Sequence, residues 1–104
     1  MNKITYEERK AVYCDAIAKY GTEHQMIVAL EEMSELQKEI CKDMRGNLNL
    51  KNLIEEIADV TIMLEQLRLI IGENDAVCEV MDSKIERLAA RINAKGENKK
   101  CVNV

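Results

Sequence analysis

No proline interrupts this chain, and each of its four glycines stands where a helical pattern stops. Proline and glycine are the residues a helix interior tolerates least. A chain with none of the first, and the second only at segment ends, is held to long helices and short turns. The first helix is expected from about Thr5 to Tyr20, opened by a capping box of Thr5 and Glu8 and ended by Gly21. The second runs from Thr22 to Arg45, with Gly46 just past its end. Residues 47–52 form a loop in which Asn49 or Asn52 is the N-cap. The third helix runs to Ile71 and stops at Gly72, and the fourth spans about Asn74 to Lys95 and stops at Gly96. Long helices with short connections become antiparallel neighbours. The expected fold is all-α, an antiparallel four-helix bundle over residues 1–95, with residues 96–104 as a flexible tail.

The composition excludes several classes. With a net charge of −4 and three tyrosines as its only aromatics, the chain lacks the basic surface and stacking platform of a nucleic-acid binder. The one basic run, Lys95 to Lys100, reads as a solvated end. No apolar run is long enough for a membrane span, and no signal peptide is visible, so a cytoplasmic protein is expected. The four cysteines, Cys14, Cys41, Cys78 and Cys101, are scattered singly, and His24 is the sole histidine, which argues against zinc. Cys14, Cys41 and Cys78 sit in apolar helical contexts and are expected to be reduced packing residues.

Two copies of one carboxylate pattern carry the chemistry. The first is Leu30-Glu31-Glu32-Met33-Ser34-Glu35-Leu36, and the second is Ile54-Glu55-Glu56-Ile57-Ala58-Asp59-Val60. At about 100° per residue, Ala29, Met33, Leu36 and Ile40 form the apolar stripe of the second helix. Glu32, Glu35 and Glu39 lie along one edge of it, with Gln25 and Val28. On the third helix Leu53, Ile57, Val60, Leu64 and Ile71 form the stripe, and Glu56, Asp59 and Met63 the same-handed edge. Packing the two helices antiparallel through these stripes brings four acids together, while Glu31 and Glu55 turn toward solvent. Clustered carboxylates repel and require a cation. An all-oxygen ligand set selects a hard one, Mg²⁺ or alternatively Mn²⁺. A di-iron bundle is the competing site, but it uses Glu-x-x-His pairs, which are absent here. Such a Mg²⁺ typically serves phosphoryl chemistry.

The string Glu32-x-x-Glu35, twenty intervening residues, then Glu56-x-x-Asp59 resembles the signature of the all-α nucleoside triphosphate pyrophosphohydrolases, the MazG-type family. Lys84-Ile-Glu-Arg87-Leu-Ala-Ala-Arg91 is similar to the basic motif of that family. The resemblance covers about Thr22 to Ile92. It implies hydrolysis of a nucleoside triphosphate between its α- and β-phosphates, giving the monophosphate and pyrophosphate, as in the removal of non-standard nucleotides. It implies Mg²⁺ held by Glu32, Glu35, Glu56 and Asp59, and phosphates held by Lys84, Arg87 and Arg91. Glu31, Glu35 and Glu39 are the acids that could orient the attacking water, and the sequence does not choose among them. Gln25, Tyr13, Tyr20 and Asn49 are candidates for base recognition, each with a packing or capping role as its alternative. The three basic side chains have their own alternative, which is to cover apolar surface with their stems.

Oligomerisation is expected on two grounds. The resemblance implies dimers or tetramers. Independently, Ala58, Ile62 and Leu69 make a second apolar face on the third helix, and a helix apolar on two faces is buried on two faces. Two other functions compete. Phosphoribosyl-ATP pyrophosphohydrolase is similar in size and fold, but its aromatic-His pair is replaced here by Thr61, Ile62 and Met63. The other competitor is a non-catalytic helical assembly module whose acids are solvated and indifferent to metal.

Overall fold

A computed structural model describes residues 3–94. All four expected helices are present: α1 (Tyr6–Tyr20), α2 (Thr22–Met44), α3 (Leu50–Ile71) and α4 (Asn74–Ala94), with no strand among the described residues. The Thr5–Glu8 capping box opens α1 with both reciprocal hydrogen bonds formed, at 3.1 and 3.0 Å. Asn49, not Asn52, caps α3: its Oδ1 accepts from the backbone N–H of Asn52 at 3.1 Å. Gly72 closes α3 in the left-handed region at φ 70°, where a side chain would be strained. The expected stop at Gly96 and the expected tail at 96–104 lie outside the described residues, as does Cys101.

The chain divides into two compact units, Met1–Gly72, which holds α1 to α3, and Glu73–Val104, which holds α4. In the first unit α2 and α3 make the main interface, with α1 packed against both. Gln25 of α2 meets Gln66 of α3, and farther along Glu32 meets Asp59. Numbers rise on one helix as they fall on the other, so the pair is antiparallel. Ala29 is only 2% exposed and marks the close approach of the two helices. Ala29→Leu has no room there and is expected to lower stability by about 1–3 kcal/mol, read by thermal denaturation.

The buried line of α3 is rotated from the predicted stripe. Val60, Met63 and Gln66 are buried, whereas Ile57, Leu64 and Ile71 are 43% exposed or more. On α2, Ala29 is buried and Met33 and Leu36 are half-buried, while Ile40 is exposed. The rotation follows from polar pairing across the interface. Gln25 with Gln66, and Glu32 with Asp59, are seven residues apart on each helix, about two turns, so they line one seam with the apolar side chains between them. The expectation that Cys14, Cys41 and Cys78 pack in the interior is not met: all three are exposed, and none is in a disulfide. Cys14 follows buried Tyr13 and Cys41 lies two residues past buried Glu39, so each is turned well off the buried line of its helix. No helix among the described residues is long and apolar enough to cross a membrane.

Candidate metal centre

The antiparallel register brings Glu32 of α2 together with Glu56 and Asp59 of α3. One carboxylate oxygen from each lies within 4.8 Å of the other two, and all three residues are half-buried. That spacing lets one hard cation reach all three. Helix geometry explains the meeting: Glu56 and Asp59 are three apart and share a face of α3, and Glu32 stands opposite them on the seam.

The cluster is electrostatically uneasy without a cation. Burial pushes the Glu32 carboxyl above the ordinary carboxylate value, and hydrogen bonding with Asp59 and the charges of Asp59, Glu56 and Glu35 push it further. Glu56 is raised for the same first reason, then by Asp59, Glu35, Glu39 and Glu55. Oε2 of Glu56 is buried and has no hydrogen-bond partner. A buried carboxylate oxygen left unpaired is costly. A divalent cation at this point satisfies that oxygen and offsets the repulsion at once, so the residues fit a hard metal ion.

The remaining predicted acids occupy different places. Glu35 is outside the close triad, but its charge acts on both Glu32 and Glu56; its side chain is 51% exposed, with Lys38 Nζ 3.9 Å from its Oε2. Glu39 is buried farther along the seam and is paired with Lys42 at 3.3 Å. Glu31 and Glu55 are exposed, as their phase predicts. An open hollow of about 520 Å³, lined by Leu30, Glu31, Glu32, Ser34 and Glu35, gives solvent access beside the cluster.

Gln25 is buried, and its Nε2 donates to Gln66 Oε1 at 2.8 Å. His24 Nδ1 lies 2.8 Å from Gln25 Oε1, and its ring stacks on Tyr20 at 5.4 Å between centroids. Tyr13 is buried and donates its hydroxyl to Glu65, whose other oxygen is 3.6 Å from Arg9 Nη1. Burial, the hydrogen bond to Glu65 and the charge of Glu65 together raise the Tyr13 phenol to about 12. Asn49 serves as a cap. Lys84, Arg87 and Arg91 lie exposed on α4. Sequence reasoning missed Gln66 and Glu65. Gln66 lies seven residues past Asp59, on the same α3 face, and that heptad spacing was the available signal.

Comparison with known protein families, with curated proteins and with solved structures finds no match.

Proposed function

We propose that the protein is a Mg²⁺-dependent nucleoside triphosphate pyrophosphohydrolase that releases a nucleoside monophosphate and pyrophosphate. The observation that carries this reading is the convergence of Glu32, Glu56 and Asp59 around a buried oxygen with no partner. The resemblance of the Glu32–Glu35 and Glu56–Asp59 pairs to the MazG-type signature supplies the reaction. Mn²⁺ suits the same ligands.

The cation, when bound, polarises phosphate oxygens as a Lewis acid. The rest of the task falls to the chain. Glu32, Glu56 and Asp59 project from two helices packed along their length, so their positions are set before substrate arrives. Of the three acids considered for orienting a water, Glu35 is best placed: it adjoins the cluster and is open to solvent. Glu31 is exposed and is not among the charges that act on Glu32 or Glu56, and Glu39 is committed to Lys42. Glu35→Gln is therefore expected to lower kcat far more than it raises KM, and steady-state kinetics on a triphosphate substrate checks this.

The reading includes a homodimer or homotetramer. Ile4, Val12, Leu30, Leu50 and Ile54 are each more than half exposed, and no large side chain among the described residues is completely buried. Apolar exposure on this scale marks association surfaces. Light scattering at micromolar concentration is expected to give twice or four times the 11.9 kDa chain mass, and a monomer would remove this part of the proposal.

A further inference from the structure

Once ionised, the acids of the candidate metal centre push α2 and α3 apart, because Asp59 and Glu56 act on Glu32 and Asp59 acts on Glu56. The buried apolar side chains beside them, Ala29, Val60 and Met63, attract without direction. The directional ties between the helices lie to either side. On one side the loop over residues 45–49 joins them. On the other, Gln25 and Gln66 are 6% and 5% exposed, and Gln25 Nε2 donates to Gln66 Oε1 at 2.8 Å. Seven residues separate Gln25 from Glu32 on α2, and seven separate Asp59 from Gln66 on α3. The amide pair and the acid pair therefore obey one antiparallel register, about 10 Å apart along the seam. The remaining atoms of the two amides are also directed. In the tautomer with a proton on Nδ1, His24 donates to Gln25 Oε1 across 2.8 Å, and Gln66 Nε2 points to Met63 Sδ at 3.6 Å. Sliding one helix by a single residue, about 1.5 Å, takes the pair out of hydrogen-bonding reach and leaves two buried amides without partners.

The acids need that register held closely. Mg²⁺ demands near-ideal octahedral geometry with ligands at about 2.0–2.1 Å, so a slip of 1.5 Å between the two helices spoils the site. Fixing the register of paired helices is the best-attested use of a buried polar group. We propose that Gln25 and Gln66 are positioning residues: their buried amide pair locks α2 and α3 in the register at which Glu32, Glu56 and Asp59 reach one cation. Neither glutamine belongs to the acid cluster, and both act on it from two helical turns away. The proposal rests on the metal-centre reading and adds the element that sets the three carboxylates in place before the cation arrives.

The test uses the full chain with both glutamines replaced together, by methionine (Gln25→Met with Gln66→Met) and, independently, by leucine. Replacing both partners with apolar groups of similar size strands no buried amide, so each double variant is expected to melt in chelator at or above the wild-type temperature. Mg²⁺ affinity is measured by calorimetric titration and again from the rise in melting temperature with Mg²⁺ concentration. The wild type is expected to bind. Both double variants should bind roughly tenfold more weakly, the lower end of what losing a supporting partner costs a metal site. Gln66→Met alone strands the Gln25 amide and should lower both the metal-free melting temperature and the affinity. Double variants that are as stable as wild type and bind Mg²⁺ equally well overturn the proposal and leave the metal centre intact. Affinity that falls only in step with metal-free stability, across the single and double variants, makes the pair a packing element and also overturns it. A wild type that does not bind Mg²⁺ overturns the metal-centre reading, and the proposal with it.

Discussion

Glu56→Gln is expected to reduce Mg²⁺-dependent hydrolysis by roughly 10²–10³-fold, the scale on which removing one preorganised electrostatic group acts. The same variant should leave the metal-free protein folded and at least as stable as wild type. Two effects act in that direction. Glu56 sits among Asp59, Glu35, Glu39 and Glu55, all of which raise its carboxyl, so a neutral amide removes repulsion. The substitution also replaces a buried anionic oxygen that has no partner. Loss of activity accompanied by loss of folding would mean that the acid is structural. Activity close to wild type would remove Glu56 from the metal set.

The second large effect is the response of stability to metal and pH. A cation that binds only the native state stabilises it by about 2.7 kcal/mol at a concentration one hundred times its Kd. For a chain of this size each kcal/mol moves the melting temperature by about 4–8 °C. Mg²⁺ should therefore raise the melting temperature by ten degrees or more, and a chelator should reverse the rise. Glu32 and Glu56 both stand above the ordinary carboxylate value of 4.5 in the folded metal-free state. Between 4.5 and their raised values the folded protein holds more protons than the unfolded chain. Their contribution is complete below 4.5 and is lost as pH rises through the raised values. The metal-free protein should accordingly lose stability from this pair as pH climbs from the carboxylate range toward neutrality. Excess Mg²⁺ should oppose that loss, because it binds the deprotonated carboxylates. A melting curve indifferent to Mg²⁺ and chelator at neutral pH favours the non-catalytic assembly module.

Much of this was legible in the residues. The glycines at helix ends, the Thr5–Glu8 box and the asparagine before α3 are local signals, and local signals set helix boundaries with little help from tertiary structure. The meeting of Glu32 with Glu56 and Asp59 was legible because both helices carry their acids at the same phase against an apolar stripe, and a short loop enforces the antiparallel pairing. What escaped depended on how each helix rolls about its own axis. Gln25 and Gln66 draw α2 and α3 together through an amide pair, which turns Met63 inward and leaves Leu64 more than two-fifths exposed. Apolar periodicity alone gives that roll to no better than a residue or so, because a stripe has width. A cavity between α1 and α3 escaped for a different reason. Its walls come from α1 and α3, which lie far apart in sequence and are linked across the fold by the hydrogen bond from Tyr13 to Glu65. The back face of α3, read as an apolar surface from Ala58, Ile62 and Leu69, thus also carries Glu65 and has α1 packed against the helix.

The most direct test of the central claim is product analysis. The protein is incubated with Mg²⁺ and a panel of standard, deoxy and damaged nucleoside triphosphates together with phosphoribosyl-ATP, and the products are resolved by chromatography. A nucleoside monophosphate and pyrophosphate in equal amounts, lost on chelation, is the predicted result. No turnover of any member of the panel, by protein whose melting temperature is unmoved by Mg²⁺, contradicts it.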